Sequence, residues 1–251
     1  MLLAPDVHLD SAQRTALGQK LRSFTDQLKQ DRLGQPADLK FLRHIHRQVF
    51  KSFLKKYAPH SSLGELLTTQ RYNCLSGSLL LAIVLRETGF VVNVHETTIH
   101  AYLTVALAND TEALIETTDP VNGLLLSPAL IAQRKRRYVQ EDLAARKQAH
   151  SSFVQENNTV QTVNYCQIAG LLFYNEAVER YNRQEYEQTV VCLQSAMAYY
   201  EAERNIWAML KATGQLLKSH ELAEGKRQSL TQLHQQYQTW FQKISSKMEG
   251  E

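Results

Sequence analysis

The spacing of hydrophobic and polar positions changes twice along the chain, from helical to alternating and back. From about Asp10 to Gln30, Leu17, Leu21, Phe24 and Leu28 recur on one helical face, and Asp10 or Ser11 can cap the start. Gly34 and Pro36 then punctuate the chain. A second helix is expected from about Ala37 to Tyr57, with Leu39, Leu42, Ile45, Val49, Phe50 and Phe53 inward, and Pro59 breaks it. Ser61-Ser62-Leu63-Gly64-Glu65 opens a short helix. Cys74, Leu75, Leu79, Ala82, Ile83 and Arg86 predict a further helix that ends at Gly89, with Asn73 as its N-cap. Three strands follow: Phe90 to about Thr97, His100 to Ala108 and Thr111 to Asp119. Asn109 and Asp110, both tolerant of positive φ, suit a two-residue hairpin turn between the last two.

After Ser127-Pro128 the pattern is helical again, from Ala129 to about Ala144. His150 to Thr159 is polar and aperiodic and reads as a connecting loop. From about Val163 the chain reads helical almost to its end. Ala177, Tyr186, Thr189, Leu193 and Ala196 suit the small and aromatic positions of a tetratricopeptide repeat of about 34 residues. One period on, Ala223 and Leu230 fit while Lys211, His220 and Arg227 do not. A pair of helical hairpins without repeat ancestry is the alternative, and the physics is shared: amphipathic helix pairs stack to bury a common face. Tyr199, Tyr200, Trp240 and Phe241 belong to that core or to a peptide groove. The expected architecture is α+β, with an α+β domain over 1–150 and a helical region over 160–248.

The strand register concentrates the chemistry. A helix of about 15 residues rises roughly 22 Å, and a strand of about eight residues covers roughly 26 Å. Packed antiparallel, they return the chain near His100 to the level of Cys74. A two-residue turn pairs Ala108 with Thr111, Thr104 with Ile115 and His100 with Asp119, on one face about 5 Å apart. A thiol at a helix N-terminus faces unpaired N–H groups and the positive end of the helix dipole, which favour thiolate. The roles follow: Cys74 as nucleophile, His100 as base and then acid, Asp119 to orient the ring. A zinc site from Cys74, His95, His100 and Asp119 is the competing reading, although the set lacks a close ligand pair of the CxxC or HExxH kind. His8, His44, His46 and His60 receive no catalytic role.

Cys-x-x-Gly in an apolar helix, His-Ala-Tyr-Leu-Thr-Val opening a strand, and Ile-Glu-Thr-Thr-Asp-Pro closing the next resemble the transglutaminase-like superfamily. Cys74, His100-Ala101 and Asp119-Pro120 occupy its motif positions, over about 50 residues. The resemblance implies a papain-type Cys-His-Asp triad on a cysteine-protease-like core. The stretch Asp119-Pro-Val-Asn-Gly-Leu-Leu-Leu-Ser127 is also similar to a bacterial subgroup that continues into tetratricopeptide repeats; many of its members lack the cysteine, which this chain keeps. No Gln immediately precedes Cys74, as it does in the larger transglutaminases, so Gln70 or the Cys74 backbone N–H is left for the oxyanion.

Charge and composition narrow the field. A net charge of +3 does not argue for nucleic acid. The basic side of the second helix (Lys40, Arg43, Arg47, Lys51, Lys55, Lys56) reads as a solvated face, with an anionic partner as the alternative, and Gln133 to Arg137 reads as exposed charge. Three widely spaced cysteines make no disulfide framework and fit a reducing compartment. The first residues show no signal-peptide pattern and no segment suits a membrane span, so a cytoplasmic protein is expected. No phosphate-binding glycine loop is present, and thiol acyl chemistry requires no cofactor. Two functions remain: a thiol enzyme acting on an amide or peptide bond of a peptide or protein substrate, or a non-catalytic adaptor that binds proteins through its helical repeats.

Overall fold

The computed structural model describes residues 9–32, 38–108, 110–148, 160–219 and 222–248. The chain divides into two compact units between Asn164 and Tyr165.

The first unit opens with helices α1 (Ser11–Arg32) and α2 (Leu39–Ser52). Asp38 caps α2, accepting from the Phe41 N–H at 2.8 Å. The helix expected to run on to Tyr57 stops at Ser52. Ala58 precedes Pro59 and is pushed towards extended backbone. The N–H groups of Lys55 and Lys56 donate to the Gln70 carbonyl at 3.2 Å, and that of Ala58 to the Tyr72 carbonyl at 2.7 Å. A short parallel pair results, β1 (Lys56–Tyr57) with β2 (Arg71–Tyr72), separated by α3 (Leu63–Thr69).

Helix α4 (Cys74–Glu87) follows at once. Ten of its fourteen residues are buried, including Leu79, Leu80, Leu81 and Leu85, as expected of a helix enclosed on all sides. It packs against α2 and α3 and against strands β3 (Val92–Glu96) and β4 (Ala101–Ala106). Strands β5 (Glu112–Ile115), β6 (Leu124–Leu125) and β7 (Gln161–Val163) complete an antiparallel sheet of order β6-β5-β4-β3-β7. Helix α5 (Pro128–Gln148) covers the other face, where Ile131 and Tyr138 pack on Tyr102 and Leu114. Strand β4 is therefore buried on both faces along its first five residues. The mixed architecture expected from the sequence is present. Val163, expected to begin a helix, instead pairs with Val94 on the sheet edge. The loop expected over 150–159 lies outside the described residues.

The second unit is a run of four helices, α6 (Tyr165–Asn182), α7 (Tyr186–Tyr199), α8 (Glu203–Leu217) and α9 (Glu224–Met248), each packed on the next. Ala177, Thr189, Leu193 and Ala196 are buried, and Trp240 and Phe241 pack against the same core. Tyr199 is partly exposed and stacks on Phe173, with ring centroids 5.8 Å apart. Among the described residues no helix is long and apolar enough to cross a membrane.

Asn73 ties this scaffold to the start of α4. Its side chain accepts from the Ser76 N–H at 2.8 Å and donates to the carbonyls of Pro59 (2.8 Å) and Ser61 (3.2 Å). Substituting Asn73→Ala removes a helix cap and strands buried acceptors. Urea unfolding is expected to show a loss of about 2–3 kcal/mol; a loss below about 0.5 kcal/mol would show that the cap is dispensable.

Candidate active site

Cys74 is the first residue of α4, held there by a reciprocal capping box: Asn73 bonds the Ser76 N–H, and the Asn73 N–H donates to Ser76 Oγ at 3.0 Å. One turn on, Gly77 admits the end of β5. A Cβ at that position would lie 3.1 Å from Thr117 Oγ1 and 3.2 Å from the Tyr72 ring. Thr117 Oγ1 donates to the Cys74 carbonyl at 3.4 Å, and Ser78 Oγ donates to the Ala101 carbonyl at 3.3 Å. The first turn of α4 is thereby fastened to the beginning of β4 and the end of β5. Cys74 is partly exposed.

His100 immediately precedes β4 in a tight turn closed by the Thr97 N–H on the His100 carbonyl (2.8 Å) and the His100 N–H on Thr97 Oγ1 (3.0 Å). Its side chain is 18 % exposed. The imidazole lies near enough to the Cys74 side chain for it to raise the His100 pKa, and its Nε2 meets Glu116 Oε2 at 2.5 Å.

Glu116 is a charged residue in the interior, with a side chain only 4 % exposed. Oε2 also accepts from the Tyr138 hydroxyl at 2.5 Å, while Oε1 accepts from the Thr118 N–H (2.9 Å) and Thr118 Oγ1 (2.6 Å). Four donors converge on one carboxylate, so the charged form is fully satisfied and a carboxyl proton has no place. Burial alone would raise the Glu116 pKa; the bond and charge of His100, with the bonds from Thr118 and Tyr138, bring it from 4.5 to about 2. Burial alone would lower His100; the Cys74 side chain and the bond and charge of Glu116 outweigh this and raise it from 6.5 to about 10. The buried carboxylate is matched by an imidazolium, and that imidazolium faces the thiol.

Asp119 is the orienting residue expected from the sequence, but the carboxylate bonded to the ring is Glu116. The β4–β5 register is one residue off the two-residue-turn expectation: Thr104 pairs with Leu114 and Leu103 with Ile115. The Leu107 N–H donates to the Thr111 carbonyl at 2.8 Å, which sets three residues rather than two between the paired positions, and Asp110 takes a positive φ (53°); Asn109 lies outside the described residues. In this register Glu116 shares the face of His100. After β5 the chain curls into a loop closed by the Glu116 N–H on the Gly123 carbonyl at 2.8 Å. Only glycine fits at 123, since a Cβ there would sit 2.2 Å from the carbonyl oxygens of both Glu116 and Asp119. Asp119 Oδ1 accepts from the Asn122 N–H at 2.9 Å, and Oδ2 lies 3.7 Å from Arg134.

The other readings resolve on partners. His95 bonds Thr104 Oγ1 through Nε2 (2.8 Å) and Thr162 Oγ1 through Nδ1 (3.1 Å), so it does not join a zinc set with Cys74. Among the described residues no group of three or more His, Cys, Asp or Glu is placed to hold a metal ion. The Gln70 side-chain amide donates to the Ser52 carbonyl at 3.0 Å, which assigns it to the scaffold rather than the oxyanion. His46 is partly buried beside Phe50, and desolvation of its ring lowers its pKa to about 4.

Sequence reasoning missed Glu116 and Tyr138. Glu116 stands three residues before the expected aspartate, and only the loop length would have selected it. Tyr138 lies on the buried side of α5, where the surrounding charge run hid it. No family model matches the chain, and no curated protein matches it.

The two shifted groups set a pH window for stability. His100, raised in the folded state, contributes fully below its unfolded value of 6.5 and loses that contribution as pH climbs towards about 10. Glu116, lowered, contributes fully above 4.5 and loses it as pH falls towards about 2. The stability gap between wild type and Glu116→Gln is expected to be widest between pH 4.5 and 6.5 and to narrow on either side. Urea titrations across pH read it, and a gap constant with pH would refute an ionised pair.

Proposed function

We propose that the first unit is a thiol acyl-transfer catalyst acting on an amide or peptide bond, with Cys74 as nucleophile, His100 as proton carrier and Glu116 as the residue that orients and charges the ring. The observation that carries this reading is the largely buried His100–Glu116 pair, bonded at 2.5 Å at a strand start and just past a strand end, with Cys74 at a helix start near enough to act on the ring. The Cys74 sulfur attacks the substrate carbonyl carbon. The carbonyl π bond becomes an oxyanion, which the Cys74 backbone N–H, at the first helical position and without an intrahelical acceptor, is suited to receive. Collapse breaks the C–N bond while the imidazolium gives its proton to the departing amine. The neutral ring then removes a proton from water or a second amine as that group attacks the thioester, the C–S bond breaks, and the thiolate and the charged ring with which the cycle began are restored. Glu116 stays ionised throughout.

The order of elements and the motif residues resemble the transglutaminase-like superfamily, with glutamate in place of the usual aspartate. A peptide or protein chain is the substrate class this reading favours, since Cys74 is partly exposed and Tyr57, close enough to be acted on by it electrostatically, faces solvent. The helical unit is the natural place for a protein partner.

The test is covalent. The protein is incubated with a library of peptide esters and amides and then measured by intact and peptide mass spectrometry. A hydroxylamine-labile acyl adduct on Cys74 is expected, with exposed Cys166 and buried Cys192 unlabelled. Cys74→Ala is expected to abolish the adduct with a melting temperature within about 2 °C of wild type, and His100→Ala to slow it about 100-fold or more. No adduct on Cys74 from any donor would remove the enzymatic reading and leave the adaptor. A large loss of stability in Cys74→Ala would mark a packing cysteine.

A further inference from the structure

Helix α5 brings two side chains to the candidate site that the acyl-transfer steps do not use. Arg134 and Tyr138 are four residues apart and share one face of the helix. The Tyr138 hydroxyl donates to Glu116 Oε2, the same oxygen that binds His100 Nε2, and each distance is 2.5 Å. Arg134 in turn lies near enough to the Tyr138 hydroxyl to act on it electrostatically and sits 3.7 Å from Asp119. The Tyr138 ring is fixed between Tyr102 (centroids 4.6 Å apart) and His100 (5.0 Å), so the hydroxyl has little freedom to leave.

This arrangement has a chemical consequence. A carboxylate that gave Oε2 wholly to the imidazolium would grip it too tightly for a group that must release and regain a proton in each cycle, since proton transfer is most efficient when the carrier is not far more basic than its surroundings. A second donor on the same oxygen draws off part of its charge. A cation near the phenol oxygen makes that donor stronger.

We propose that Tyr138, polarised by Arg134, is a positioning residue that acts through Glu116 to weaken its hold on His100 and keep the ring able to cycle. The proposal rests on the acyl-transfer reading of the same site. Asp119, expected from the sequence to touch the ring itself, instead anchors the outer end of the chain through Arg134.

The groups that face His100 are Cys74 from α4, Glu116 from the end of β5 and Tyr138 from α5. Tyr57, Tyr72, Arg134 and Arg137 act on these at longer range. Tyr138 itself is held protonated, because burial and the Glu116 charge raise its pKa. It is therefore a donor across the working range.

The test is a titration of His100 by ¹⁵N-histidine NMR on the full chain, which needs no substrate. Tyr138→Phe keeps the ring packing and removes the donor. The His100 deprotonation midpoint is expected to move up by about one pH unit, the worth of one hydrogen bond. Arg134→Gln is expected to move it in the same direction by less, and both variants should melt close to wild type. A midpoint that stays put, or moves down, overturns the proposal, as does a melting loss with an unmoved midpoint, which a packing role alone would give. Should Tyr138→Phe fail to fold, the partly exposed Arg134→Gln decides the question by the same shift. Failure of the two readings is distinguishable: an unreactive Cys74 with the shift present removes the enzyme and keeps the tuning, while a reactive Cys74 with no shift does the reverse.

Discussion

The carboxylate of Glu116 accepts four hydrogen bonds inside the protein, and the arrangement of the first unit follows from satisfying it. A buried charge is tolerated only when its lone pairs are filled and an opposite charge is near. The donors come from three places: a strand start (His100), the residues after β5 (Thr118) and a helix on the far face of the sheet (Tyr138). None of these lies in the same local segment, so the site exists only when sheet, loop and α5 have all assembled. The loop is the most demanding part, since Gly123 must lie against two carbonyl oxygens for the Glu116 backbone to turn.

Seen this way, α4 has one task beyond filling the core. It must deliver a thiol to the ring that Glu116 has charged. Its apolar surface buries it on all sides, which fixes its axis, while Asn73 and Gly77 fix its first turn against Pro59, Ser61 and Thr117. Cys74, partly exposed at the start of a closely packed helix, combines a fixed position with access.

Much of this was legible in the sequence where local physics decides. The Asn73 cap, the helix from Cys74 and the placement of His100 at a strand start all follow from periodicity and capping. The identity of the acid did not, because it depends on one residue of loop length. A three-residue loop in place of a two-residue turn slips the register by one, and a slip of one moves the opposite face of β5 to His100. The helix read through to Tyr57 failed for a related reason: Phe50 and Phe53 continue the helical period, but the backbone partners that end it, Gln70 and Tyr72, lie well along the chain. The same holds for β7, three residues that find β3 about 70 residues away and leave no periodic trace.

The central claim is that the thiol is paired with an imidazolium rather than a neutral imidazole. The direct measurement is the ¹⁵N spectrum of His100 in the wild-type chain at pH 8, assigned through His100→Ala. The account predicts a ring protonated on both nitrogens, with its signal unchanged well above the ordinary histidine value of 6.5 and lost in Glu116→Gln. A neutral ring at pH 8, titrating near 6.5, would contradict it.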